Sequence, residues 1–454
     1  MSTAATNGTK GEPGDVGEPF EYTSGFGNHI ESEAVPGALP LGQNSPQVPP
    51  FGLYAEQLSG TAFTVARVGN QRTWMYRLEP SVKHGPHVAY DQPFLVSDFT
   101  TAEVVPDQLR WHPPKLAAPG DAAVDWVDGL RTMCGAGSPD LKEGVAIHLY
   151  TFSSSMTAAN RAFSNADGDM LIVPQHGALT VTTELGRLLV APSEIAVVPR
   201  NITFAVDPAD PSAPACRGYV LETFCGAHFA PPDRGPIGAN GLAEARDFLY
   251  PAAWFEDRAC DFTVVTKAVG HVFSRSRAHS PFDVVAWHGN YAPFKYDLAR
   301  FHAMNTVTVD HPDPSIFTVL TIPSPDPGVA LADFVIFPPR WMCAERSFRP
   351  PYYHRNCMSE FMGLIDGAYD ARQGFVPGGS SLHGIGTPHG PDAKTFEAAS
   401  AADTTAPAKF TAGTAFMFET RAALRVTKYA ADTTSELYDG EYRKCWEALR
   451  RVAL

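Results

Sequence analysis

Between residues 145 and 225, short apolar runs recur about every ten residues with turn residues between them, and no run is long enough for a typical helix. Ile147-His148-Leu149-Tyr150-Thr151-Phe152, Met170-Leu171-Ile172-Val173, Leu179-Thr180-Val181-Thr182-Thr183 and Leu188-Leu189-Val190-Ala191 come in sequence. They are followed by Glu194-Ile195-Ala196-Val197-Val198-Pro199-Arg200-Asn201 and Thr203-Phe204-Ala205-Val206. Such spacing predicts a β-sandwich or jelly roll. The 40 prolines and 38 glycines of the 454 residues fit the same reading, because a helical protein tolerates few of either while tight turns between strands require them.

Elsewhere the pattern is weaker. Residues 1–19 are polar and glycine-rich, with no apolar stretch of signal-peptide type, and are expected to be a disordered tail. Residues 20–60, rich in Gly, Pro and Asn, read as an extended arm. Strands are expected at 61–67 and 72–78, and an irregular segment at 226–283 with short helices near Gly241–Phe248 and around Glu256. A second β unit is expected from Val284, with strands at 306–309, 316–321, 334–337, 415–419 and 424–427. Residues 398–409 read as a surface loop, and 435–452 as a capping helix. The resulting division is a tail at 1–19, an N-terminal β domain at 20–283 and a C-terminal β domain at 284–454.

The net charge of −14, with no basic stripe, argues against a nucleic-acid or acidic-membrane surface. No stretch reaches the length of a membrane span. Seven cysteines at irregular spacing, without a CxxC pair, read as reduced thiols, so the cytoplasm is the expected location.

Chemistry concentrates in Arg349-Pro350-Pro351-Tyr352-Tyr353-His354-Arg355-Asn356-Cys357-Met358-Ser359-Glu360-Phe361-Met362-Gly363. Along a straight strand His354 and Glu360 would stand roughly 20 Å apart. They can share an ion only if the chain reverses around 356–358, with His354 closing one strand and Glu360 opening the next. Downstream, after Pro377-Gly378-Gly379-Ser380-Ser381, His383 and His389 are both available as a third ligand. Two histidines and one carboxylate form the facial triad of non-haem Fe(II) oxygenases, which leaves three cis positions open. The bland alternative is a buried ion pair beside a loop histidine. Asn356 and Arg355 are near enough to orient the ligands. Strand alternation turns Cys357 away from them, as a packing residue.

His354-x-Asn356-x-x-x-Glu360-(x6)-Gly367 resembles the first cupin signature, with Asn356 in place of its second histidine. Pro377-x-Gly379 resembles the start of the second, but His383 falls one residue late, so spacing leaves the third ligand open. In the first unit Gly168-Asp169, Gly186 and Pro199-Arg200-Asn201 resemble the same double-stranded β-helix. That half offers only His148 and His176 near the expected turns, without a His–carboxylate pair, and is expected to hold no metal.

RPPYYHRNCMSEFMGLI at 349–365, SLHGIGTPHGPD at 381–392, VVAWHGNYAPFKYDL at 284–298 and YTSGFGNHIESEAVPGALPLGQNSPQ at 22–47 are similar to the homogentisate 1,2-dioxygenase family. The resemblance implies a mainly β fold of two cupin-like units, the C-terminal one binding Fe(2+) through His354, Glu360 and His389. It implies His311 as the catalytic acid/base, and Tyr369, His389 and His383 as residues at the substrate. The implied reaction opens the ring of homogentisate with O2 to give maleylacetoacetate, in phenylalanine and tyrosine breakdown. Substrate is expected to reach the metal through the hydroxyl ortho to the acetate arm and through the acetate itself. The implied assembly is a hexamer, a dimer of trimers, in which the 20–60 arm could wrap a neighbouring subunit. The competing readings are a gentisate dioxygenase and a catalytically dead two-barrel storage or binding protein. His288, in Trp287-His288-Gly289-Asn290, has no partner at ligand spacing and reads as a structural residue of a tight turn.

Overall fold

The computed structural model describes residues 17–118, 120–232, 242–310, 313–369 and 371–454. Among these the chain is mainly β, built on sheets of nine, seven, six and four strands. In the nine-stranded sheet Asp169–His176 lies between Glu194–Val198 and Cys216–Thr223, and Glu143–Phe152 and Leu130–Ser138 follow outward. The seven-stranded sheet runs from the hairpin Gly186–Val190 and Leu179–Thr183 through Thr203–Pro208 and Arg161–Asn165 to the hairpin Ala259–Ala268 and His271–His279. Trp126 packs edge-on against Phe163 and Phe204 within this unit's core, all three fully or almost fully buried. Burying such rings is the main favourable term in folding.

A knot of charge lies inside that core. Lys267, fully buried, donates from Nζ to Asp167 at 2.8 Å and Glu222 at 2.7 Å. Glu222 also meets His148 Nε2 at 3.1 Å and accepts from Asn165 at 2.6 Å. The first unit therefore does hold a His–carboxylate contact, which the sequence did not reveal because the partners are 74 residues apart and meet across paired strands. An ammonium group supplies the internal cation there.

The six-stranded sheet carries the 354–389 region. Its order is Thr318–Pro323, Ala330–Phe337, Gly413–Thr420, Ser359–Gly367, Ser380–His383 and Leu109–Trp111. The last strand comes from early in the chain, and conversely Arg425–Val426 pairs with Leu130–Ser138 in the nine-stranded sheet. The units are thus interlocked by exchanged edge strands. At their junction Gly363 allows close approach: a Cβ there would meet the Phe416 ring at 2.4 Å and Tyr219 at 3.0 Å. Tyr219 uses the space to donate to the Gly379 carbonyl at 2.8 Å.

Several expected elements differ. The 20–60 arm contains strands Tyr22–Ser24, Ile30–Glu33 and Tyr54–Ser59, and the strand expected at 61–67 is turn and 3-10 structure with Phe63 exposed. Among the described residues of 226–283, the long hairpin Ala259–Ala268 and His271–His279 stands in place of helices, with one short 3-10 turn at Ala245–Asp247. Val284–Gly289 and Phe294–Asp297, read as opening the second unit, pair with strands of the first. Trp287, His288 and Gly289 are therefore strand residues and not a turn, and His288 packs on Tyr76 with Nε2 at 3.3 Å from its hydroxyl. Residues 306–309 form no strand, and the strand expected at 316–321 starts only at Thr318. The 398–409 loop begins inside the helix Ala393–Ala401 and ends in the strand Ala408–Phe410. The C-terminal helix is reduced to the 3-10 turn Tyr442–Trp446. The expected tail falls largely on residues 1–16, outside the described residues.

Candidate metal centre

His354 and His389 are brought together by the main chain. Each donates its backbone N–H to the other's carbonyl, at 2.9 and 3.1 Å, in an isolated antiparallel bridge. His354 thus ends no strand of its own; it is held by this bridge, and a bend at Cys357 and Met358 leads into Ser359–Gly367. Glu360 is the second residue of that strand, facing His383 on one neighbour and Glu419 on the other. Gly390 follows His389 where a Cβ would meet the Tyr353 backbone at 2.9 Å, so only glycine lets the two ligand segments come this close.

The donor atoms of His354, Glu360 and His389 lie within 4.8 Å of one another. His354 Nε2 is 3.2 Å from Glu360 Oε1, and His389 Nε2 is 2.9 Å from Oε2. On the far side of each ring Nδ1 contacts a backbone carbonyl, Tyr352 at 2.8 Å and Thr387 at 2.9 Å. A carbonyl only accepts, so both Nδ1 atoms carry protons. In a neutral imidazole the Nε2 lone pair then points at a carboxylate, and that contact is favourable only with a proton or a cation between them. Cis ligands about 2.1 Å from a metal stand about 3 Å apart, the spacing seen here. The donor set fits a divalent ion.

Asn356 completes the arrangement by donating from Nδ2 to Glu360 Oε1, while its Oδ1 accepts from Met358 N–H at 2.6 Å. Burial works to raise the Glu360 pKa, but hydrogen bonds from His354 and His389 outweigh it and hold the carboxyl well below the usual range. The Glu360 contact raises the His354 pKa in turn.

Beside this cluster is a cavity of about 400 Å³, walled in part by Tyr369, Arg372, Met362, Phe337 and Glu419. A shallower groove of about 880 Å³ reaches His354 and His389 from the side of Arg443 and Trp446. Tyr369 packs between Phe337 and Phe375. His383 is buried against the other wall of the cluster, its ring stacked on His389 with centroids 4.1 Å apart. Its Nε2 accepts from Tyr442 at 2.9 Å and Arg372 at 3.3 Å, while Nδ1 has no hydrogen-bond partner among the described residues. Burial and then the Arg372 charge push its pKa well down, so it stays neutral. Burial, followed by the charges of Glu360, Asp333 and Asp313, pushes Glu419 up to about 7.

The structure brings His354, Glu360, His389 and Tyr369 to one place, with Asn356 in the orienting position. His311 lies outside the described residues. Cys357, expected to pack on the face opposite the ligands, is exposed, because the bend breaks strand alternation there. Arg355 lines both openings but is exposed. Arg372, Glu419 and Tyr442 were not foreseen. The register of Glu419 opposite Glu360 depends on strands nearly 60 residues apart, and no local pattern marks it.

Family models for the N-terminal and C-terminal parts of homogentisate 1,2-dioxygenase match residues 21–298 and 299–453. A rice relative of that name is 55% identical over 99% of this chain and 96% of its own. One from Arabidopsis thaliana is 55% identical over 95% and 93%, and the human one is 53% identical over 95% and 96%.

Proposed function

The chain belongs to the homogentisate 1,2-dioxygenase family, and from that premise we propose that it opens the homogentisate ring with dioxygen to maleylacetoacetate at a ferrous ion held by His354, Glu360 and His389. The observation that carries this reading is the pair of imidazoles whose Nδ1 protons are committed to carbonyls, so that both Nε2 lone pairs converge on one carboxylate. Ferrous iron, when bound, supplies a template and the spin-permitted route by which dioxygen reacts with an aromatic ring.

The side chains set up that chemistry. The Tyr352 and Thr387 carbonyls fix both rings and their tautomers, and Asn356 fixes Glu360, so the ligands are oriented before any ion arrives. A single carboxylate cancels only half of a dipositive charge, which leaves attraction for a substrate phenolate. His311 is assigned the proton of the distal hydroxyl, since imidazole titrates near neutral pH and a phenolate ring is the better electron donor. Tyr369 borders the ring. All four electrons come from substrate, so no external reductant enters.

A division into an N-terminal and a C-terminal β unit, with the boundary moved past Asp297, the cytoplasmic location and the hexameric assembly belong to the same proposal. Among the described residues no helix is long and apolar enough to cross a membrane. Leu41, Phe63 and Val68, each more than nine-tenths exposed, support contact of their segment with another copy. The test is dioxygen uptake by iron-loaded protein with homogentisate and with gentisate. Stoichiometric uptake and ring opening with homogentisate alone is expected. Preference for gentisate, or iron binding without turnover of either, would overturn the assignment.

A further inference from the structure

Arg372 is only 7% exposed, yet it lines the cavity beside the metal centre. Its Nε donates to the Gly390 carbonyl at 3.1 Å and Nη1 to His383 Nε2 at 3.3 Å. The guanidinium lies 5.9 Å from the Tyr369 ring centroid and 6.0 Å from that of Tyr442. Among the described residues no carboxylate stands within 4.0 Å of it. Arg77, fully buried in the first unit, is met by Glu56, Glu184 and Asp283. A guanidinium cannot shed its proton to escape burial, so an unmatched one is costly. Of its five N–H groups, Gly390 and His383 engage two and the Tyr442 hydroxyl is a third polar neighbour, which still leaves N–H groups for a further acceptor.

We propose, resting on the function above, that Arg372 is the receptor for the carboxylate of the substrate's acetate arm. The carboxylate then goes to the guanidinium and not to the metal, which frees a coordination position. The matching is chemical: planar guanidinium to planar carboxylate, in a water-poor wall where the pair is worth most. The other cavity arginines fit less well. Arg355 is exposed and screened by solvent, and Arg340 donates to the Pro338 carbonyl between the Phe317 and Phe410 rings. A ring-borne carboxylate, as in gentisate, ends one bond of about 1.5 Å short of an acetate's reach. The same contact therefore selects for arm length.

The experiment is anaerobic titration of iron-loaded wild type, Arg372→Gln, Arg372→Lys and Arg355→Gln with homogentisate and with 2-methylhydroquinone, which has a methyl in place of the acetate arm. Arg372→Gln is expected to weaken homogentisate by about 10² to 10³-fold, the scale for truncating one partner of a buried charge pair. Its affinity for 2-methylhydroquinone should stay within about threefold, since that ligand never meets the guanidinium. Arg372→Lys should recover part of the loss and keeps the test available if the Gln variant does not fold. Equal weakening of both ligands would reduce Arg372 to a brace for Gly390 and His383 and overturn the proposal. So would a loss of discrimination in Arg355→Gln instead. Wild-type protein that binds iron but not homogentisate would overturn the functional reading itself, a separate and recognisable result.

Discussion

Replacing Asn356 tests whether the ligand cluster is assembled by the protein or by the ion. One amide does two jobs: its Nδ2 holds Glu360 Oε1, and its Oδ1 caps the Met358 N–H in the bend between the ligand segments. Asn356→Ala removes both bonds, whereas Asn356→Asp keeps the cap and replaces the donor with a second acceptor facing Glu360. Losing an orienting partner of a metal ligand typically lowers metal affinity 10- to 100-fold, or about 1.4 to 2.7 kcal/mol. The alanine variant should fall in that range. The aspartate variant should release iron at least as readily, because two carboxylates then repel where one was held. Chelator-competition titration of ferrous iron measures both, with the rate of dioxygen uptake at saturating iron as a second readout. Unchanged affinity in the alanine variant, or tighter binding in the aspartate variant, would refute the view that Asn356 acts as a donor to Glu360.

Other consequences can be checked separately. His311→Phe should keep its iron while turnover falls by about 10² to 10⁴, and the acidic limb of the pH–rate profile should vanish; an intact acidic limb would pass the proton to another group. Lys267→Met strands Asp167 and Glu222 in the first unit's core and should cost about 3 to 5 kcal/mol in urea unfolding; a loss under 1 kcal/mol would mean that the knot is not a stabilising ion cluster. Burial alone would raise the Glu222 pKa, but the Lys267 charge and His148 bring it down to about 2. A depressed folded pKa gives stability that is present above the unfolded value near 4.5 and is lost as pH falls towards 2, so Glu222→Gln should flatten acid unfolding in that window. His383→Ala should retain iron, since His383 touches a ligand ring and not the donor atoms.

The strands of the first unit were legible because both of their faces are buried, which leaves continuous apolar runs such as Ile147 to Phe152. Alternation misled where the apolar side faces solvent: Phe63 is 91% exposed and Val307 79%, and neither segment is a strand. The hairpin from Ala259 to His279 was missed for the converse reason. Lys267 and Arg277 are buried and its other positions are mixed, so the period-2 signal is scrambled. At the site, residue types and the six-residue spacing pointed to His354 and Glu360. The bridge that brings in His389 is made by backbone atoms 35 positions apart, which leave no mark on side-chain pattern. Arg372 and Tyr442 were hidden likewise, because what sets them apart is burial and, for Arg372, a charge that no carboxylate among the described residues meets.

The most direct test of the metal assignment is iron content and homogentisate turnover measured together in wild type and Glu360→Gln. The amide keeps the shape of the side chain but loses the charge on which both Nε2 atoms converge. The variant should remain folded, bind little iron and turn over no homogentisate, while wild type holds one iron per chain. A folded Glu360→Gln protein with full iron and full turnover would contradict it.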